Sequence, residues 1–134
     1  MSESENTSLI KKVYESFNAG DIEGLLATMS SDIEWRVPEI DGVPFAGARR
    51  SREQVRKFFA DMAKEQEILE LELKEFIAQG DKVVVLGHYA WRVISSGRKF
   101  AGDWAHVFTV RGGQIVRFQE YTDTAAAAGA YREL

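Results

Sequence analysis

The chain contains no cysteine, which excludes disulfides, thiolate metal sites and a cysteine nucleophile. Its two histidines, His88 and His106, stand at no metal-ligand spacing, so no metal centre is expected. Cationic excess is missing too. The net charge is −4, whereas nucleic-acid binding needs a basic footprint. No apolar run approaches the ~20 residues of a membrane span, and the opening MSESENTS is polar and acidic, unlike a secretion signal. Neither a glycine-rich phosphate loop nor a Ser-His-Asp order is present. These absences point to a soluble cytoplasmic protein without a cofactor and without nucleic-acid or membrane partners.

What remains is an ordinary globular composition. The 134 residues are 45% hydrophobic and 28% charged, enough for one core, and a single domain over 1–134 is expected. Leu9, Ile10, Val13, Tyr14 and Phe17 recur at helical spacing between about Ser8 and Ala19, and Gly20 is a natural stop. Asp21 is placed to cap a short helix carrying Ile22, Leu25, Leu26 and Met29. Ile33, Trp35 and Val37 alternate with Glu34 and Arg36, a strand pattern ended by Pro38. The segment PEIDGVPFAGA (38–48) holds both prolines and reads as a loop with Phe45 as its bulky apolar member. Ser51 and Gln54 fit a capping box for a third helix whose buried stripe is Val55, Phe58, Phe59 and Met62.

The second half reads differently. Leu69, Leu71 and Leu73 alternate with charged residues, and the apolar phase slips at Phe76, as at a bulge. Turns at Gly80-Asp81, SSGR (95–98) and RGG (111–113) separate three further strands. The tail TAAAAGAYREL (124–134) reads as a helix, with Thr124 as its cap. Three helices and one early strand, then a four-strand antiparallel meander, make an α+β fold with helices stacked on one face of a curved sheet.

The stretch GDWAHVFTVRGGQIVRFQEYTD (102–123) carries the chemistry, and its register decides which side chains meet. A two-residue Gly112-Gly113 turn sets Val110 opposite Ile115 and His106 opposite Gln119, with Glu120 on the other face. A three-residue turn sets Val110 opposite Gln114, His106 opposite Phe118 and Trp104 opposite Glu120. The second is preferred, because Trp104, His106 and Phe108 then share a face with Val116, Phe118 and Glu120. Gly87, Tyr89, Trp91 and Val93 complete that face, while Val84, Leu86, His88, Ala90, Arg92 and Ile94 lie outside. A sheet that is apolar on both faces needs a second cover, and a homodimer through the outer face is the economical one.

The pattern resembles the nuclear-transport-factor-2-like superfamily, in its SnoaL-like and ketosteroid-isomerase-like branches. The likeness is carried by FNAGDIEGLLATMSSDIEW (17–35), the SREQVRKFF helix and HVFTVRGGQIVRFQEYTD (106–123), and it spans nearly the whole chain. It implies an α+β cone: a curved antiparallel sheet wrapped around three N-terminal helices, with an apolar pocket between them and frequent homodimers. In the steroid isomerases the tyrosine of the first helix falls on Val13, one step from Tyr14. Their base aspartate falls near Val37, and their oxyanion-hole aspartate on His106. The arginine and first aspartate of the fold's epoxide hydrolases fall on Gly87 and Tyr89, and their second aspartate on Glu120. The SnoaL-type polyketide cyclases place a histidine and a carboxylate at the spacing of His106 and Glu120.

His106 and Glu120 are thus the candidate acid/base pair, since a carboxylate beside an imidazole can hold and move a proton. The plainer alternative is a satisfied buried pair that fixes register. Trp35, Tyr14, Phe58, Tyr89, Trp91, Trp104 and Phe118, with Phe45 as a lid, are the candidate pocket for a small, flat, apolar ligand. The plainer alternative is that they are core. The expected activity is cofactor-independent isomerase, cyclase or lyase chemistry on an apolar carbonyl compound. A non-catalytic binding or dimerisation module, or an epoxide hydrolase, remains open. Tyr121, Asp123, Asp103 and His88 are assigned to the outer face or the strand end, and the basic run at 48–57 to a solvated helix start.

Overall fold

The computed structural model describes residues 2–132. Helix α1 (Glu3–Asn18) starts earlier than its apolar spacing indicates, because Ser2 and Glu5 form a reciprocal capping box. The Ser2 hydroxyl accepts the Glu5 N–H at 3.1 Å, and the Glu5 carboxylate accepts the Ser2 N–H at 3.2 Å. Asp21 caps α2 (Ile22–Leu26) by accepting the Gly24 N–H at 2.9 Å. That helix is shorter than expected: Met29 instead opens β1 (Met29–Val37) as a fully buried residue.

The loop after β1 also ends sooner, at Gly47, which begins β2 (Gly47–Arg50). Helix α3 (Ser51–Glu65) follows without a spacer. The chain reverses at Ser51, whose φ of 76° is left-handed, a conformation that costs a non-glycine residue about 1–2 kcal/mol. Half of the capping box expected from Ser51 and Gln54 forms, the Ser51 hydroxyl accepting the Gln54 N–H at 3.3 Å, while the return bond is displaced by one residue, the Gln54 side-chain oxygen accepting the Arg50 N–H at 2.7 Å.

Strands β3 (Gln66–Gln79), β4 (Lys82–Val93), β5 (Lys99–Arg111) and β6 (Gln114–Thr122) form the meander, and α4 (Thr124–Tyr131) closes the described chain. Asp123, not Thr124, caps α4 by accepting the Ala126 N–H at 3.0 Å. The last two residues of the expected tail helix, Glu133 and Leu134, lie outside the described residues. The six strands make one curved, unclosed sheet in the order β2-β1-β6-β5-β4-β3. It is mixed, whereas an antiparallel sheet was expected: β1 runs parallel to β6, with Trp35 beside Phe118. Helix α1 packs on β3 and β4, and α3 on β1 and β2, so the core lies in the concavity. No helix among the described residues is long and apolar enough to cross a membrane.

Two bulges set the inner face of β3. The first turns Leu69 outward, 43% exposed, and brings Ile68 in. The second restores the phase, so Phe76 and Ala78 pack on the core. On β4 the inward set is Val83, Val85, Gly87, Tyr89, Trp91 and Val93.

The last hairpin combines features of both registers considered. Gly112 and Gly113, with φ of 57° and 76°, make a two-residue turn that pairs Arg111 with Gln114 and Val110 with Ile115. A bulge then moves the pairing to Thr109 opposite Arg117. The extra residue, Val116, restores the parity, so His106 and Glu120 share the inner face. Their partners differ from the preferred register: His106 faces Glu120, Trp104 faces Thr122 and Phe108 faces Phe118. Ile115, fully buried, takes the core place expected for Val116. Replacing Ile115 by Ala should therefore cost about 2–4 kcal/mol in urea unfolding, and Val116→Ala less than about 1 kcal/mol. Equal losses would contradict this register.

Candidate functional site

Three elements converge on one line of hydrogen bonds. Tyr14 comes from the buried face of α1, His106 from β5 and Glu120 from the position directly opposite on β6. The Tyr14 hydroxyl is 2.8 Å from His106 Nδ1, and His106 Nε2 is 2.9 Å from Glu120 Oε2. Trp104 stacks on the imidazole with ring centres 4.0 Å apart, and Phe118 meets it edge-on at 4.9 Å. The His106 and Glu120 side chains are only 13% and 16% exposed.

The protons in this line are constrained. An ionised carboxylate only accepts, so a charged Glu120 requires a proton on Nε2. With a neutral imidazole, Nδ1 is bare and the Tyr14 O–H donates to it. With an imidazolium, Nδ1–H donates to the phenol oxygen and frees the O–H for another acceptor. Burial, and then the charge of Glu120, push the Tyr14 phenol well above its ordinary ionisation range. Tyr89 moves the same way for the same two reasons, opposed by its hydrogen bond to Thr122. Both phenols are therefore donors, not anions, near neutral pH.

The line ends in a cavity of about 90 Å³ whose wall includes Tyr14, Trp35, Phe58, Tyr89, Trp91, His106, Phe118 and Glu120. A second cavity of about 60 Å³ lies under the loop after β1 and α4. The two share Val37, Phe58, Met62, Tyr89, Trp91 and Glu120. Phe45 lines only the smaller cavity, packed edge-on against Phe58 at 5.7 Å. Trp104 lines neither and supports His106 from behind. His88 faces outward and pairs with Asp103 at 2.9 Å.

The sequence reading placed Tyr14 in the wall but missed it as the partner of His106. Its helical spacing with Ile10 and Phe17 shows the face, not which residue lies across from it. Gln66 and Thr122, in the smaller cavity, were missed altogether. Among the described residues, no group of three or more acidic or histidine side chains is arranged to hold a metal ion.

The profile of the SnoaL-like domain matches residues 10–118. The chain belongs to this family. A crystal structure of an NTF2-like protein from Burkholderia xenovorans LB400 is 37% identical, with 98% of this chain and 99% of that one covered and a TM-score of 0.89. TerC, co-crystallized with polyporic acid, is 30% identical over 96% of this chain and 99% of its own, with a TM-score of 0.86. An NTF2-like protein from Burkholderia thailandensis E264 is 27% identical over 96% of this chain and 98% of its own, with a TM-score of 0.86. None of the curated proteins matches the chain in sequence.

Within this SnoaL-like domain one glycine protects the site. A Cβ at Gly87 would overlap the Trp104 ring and lie 2.5 Å from the Glu72 carbonyl oxygen. Gly87→Ala should push the indole toward His106, lowering stability by about 1–3 kcal/mol and changing the near-ultraviolet circular dichroism of the tryptophans. An unaltered spectrum would show that the ring has room elsewhere.

Proposed function

We propose that this SnoaL-like domain is a cofactor-independent acid–base enzyme acting on a small, flat, apolar carbonyl compound. The observation that carries this reading is the half-committed carboxylate. Glu120 Oε2 is held by His106, Oε1 has no hydrogen-bond partner among the described residues, and the group borders both cavities. In the proposed step, Oε1 takes a proton from a carbon next to the carbonyl. The C–H electron pair moves into the new C=C bond, and the charge collects on the carbonyl oxygen. With His106 as imidazolium, the Tyr14 O–H donates to that oxygen. Return of the proton to another carbon makes an isomerase, whereas attack of the new nucleophile within the substrate makes a cyclase. The aromatic walls exclude water that would weaken these charges.

Epoxide hydrolysis fits less well, because the two groups expected to hold a water together with Glu120, Tyr89 and His106, are both engaged. The Tyr89 hydroxyl is committed to Thr122 at 2.7 Å, and both His106 nitrogens are occupied. Polyporic acid, the compound crystallised with TerC, is the first ligand to try. The step itself is tested by deuterium exchange at the α-carbon of small aryl ketones, followed by nuclear magnetic resonance. Glu120→Gln should slow exchange at least about 100-fold, and Tyr14→Phe about tenfold, with His106→Ala between them. Full exchange in Glu120→Gln and His106→Ala would remove this pair as the proton-moving groups, and no exchange in the parent chain would leave a binding module without catalysis.

The partner on the outer face is proposed to be a second copy of the chain. Leu86, Ala105 and Tyr121 form one cross-strand row there, and Ile77, Val84 and Val107 the next. Tyr121 is 59% and Ile77 44% exposed. Glu67, Glu70, Glu72 and Glu75 flank this patch on β3, whereas Arg36, Arg50 and Arg117 gather around Glu34 on the opposite edge. A two-fold axis sets one copy's acidic edge on the other's basic edge. Sedimentation should find a dimer that Tyr121→Glu converts to monomer; a monomeric parent chain would end this reading.

A further inference from the structure

Two residues in the wall of the smaller cavity carry hydrogen-bond donors that no described residue accepts, and no described lysine or arginine lines it. Gln66 and Trp91 both line it, and each is only 7% exposed. The Tyr131 hydroxyl donates to Gln66 Oε1 at 2.8 Å, which fixes the amide and leaves its N–H groups without an acceptor among the described residues. The Trp91 indole N–H likewise has no partner there, and neither nitrogen is among the fully enclosed unsatisfied atoms. The Tyr89 and Thr122 hydroxyls in the same wall are engaged. Thr122 Oγ1 accepts from Tyr89 at 2.7 Å and donates to the Asp103 carbonyl at 3.3 Å. Among the described residues, Glu120 is the one carboxylate in either wall, and no lysine or arginine lines them.

We infer that the smaller cavity is a subsite for a neutral carbonyl arm of the ligand, its oxygen accepting from the Gln66 amide and the Trp91 indole. This rests on the larger cavity being a ligand site, and it deepens that reading by defining a two-part ligand. A flat apolar ring occupies the larger space, and a short arm ending in a ketone, ester or amide carbonyl crosses past Glu120 into the smaller one. Donors that a ligand would bury favour an acceptor oxygen on it, since covering them with hydrocarbon leaves both N–H groups unpaired. A carboxylate arm is disfavoured, because it would enter a low-polarity space beside Glu120 with no described lysine or arginine in the wall. The carbon linking ring and carbonyl then passes the carboxylate that both cavities share.

The test uses three probes of one skeleton: 4-phenylbutan-2-one, butylbenzene and 4-phenylbutanoate at pH 8. Their affinities are measured by calorimetry or by quenching of tryptophan fluorescence. The ketone should bind about tenfold tighter than butylbenzene and tighter than the acid. Gln66→Leu and Trp91→Phe should each remove part of that advantage, and the double variant all of it, read in every case as the ratio of ketone to butylbenzene affinity for the same variant. Trp91→Phe keeps the ring and so keeps the test readable should Gln66→Leu fold poorly. An equal affinity of ketone and butylbenzene for the parent chain would overturn the subsite, as would a ketone preference that survives in the double variant or tighter binding of the acid. No turnover enters these measurements, so an inactive Glu120 would sink the catalytic reading without touching this result.

Discussion

Val116 is the residue on which the interior depends. The glycine turn by itself would set Gln119 opposite His106 and send Glu120 to the other side of the sheet. One inserted residue reverses every side chain beyond it. Glu120 then lies straight across from the imidazole, and Ile115 rather than Val116 fills the floor of the core. The pairing is local in the hairpin, yet it determines what the distant α1 can reach. Tyr14 finds the far nitrogen of His106 because the near one is already turned to the carboxylate.

A polar line in an apolar cup is stable only when its members satisfy one another, because each unpaired buried group costs on the order of 1–3 kcal/mol. Here the phenol, both imidazole nitrogens and one carboxylate oxygen are paired, and stacking on Trp104 fixes the ring plane. The spare capacity is concentrated at the other carboxylate oxygen, where both cavities meet. Such a distribution separates rigid support from a single open atom, the arrangement that proton transfer in a water-poor space requires.

Much of this was legible because it depends on short-range chemistry. Helical spacing revealed the faces of α1 and α3, Asp21 announced its cap, and alternation fixed the inward set of β4 from Gly87 to Val93. The likeness in 17–35 and 106–123 carried the cone. What escaped has a common cause, competition between local options that tertiary contacts decide. Gly112-Gly113 serves either turn length, and no nearby residue marks the bulge. Leu69 continues an apolar alternation, yet the strand discards it in favour of Ile68. Met29 fits the period of α2 but is worth more at the start of β1. The parallel pairing of β1 with β6, and with it the meeting of Trp35 and Phe118, joins segments about eighty residues apart, beyond any local signal.

That parallel pair bears on how the molecule assembles. The meander β3 to β6 can zip through neighbouring hairpins, but β1 has no place in the main sheet until β6 exists. Closing so long a loop before any contact rewards it is entropically slow. The aromatic wall built on Trp35 therefore forms late, after the hairpin bearing the imidazole and the glutamate. During synthesis, residues 29–37 can pair with β2 and pack against α3, but their other edge and the face of Trp35 that stacks on Phe118 stay open until β6 has been made, and this interval is the period in which the nascent chain is most exposed to misassembly.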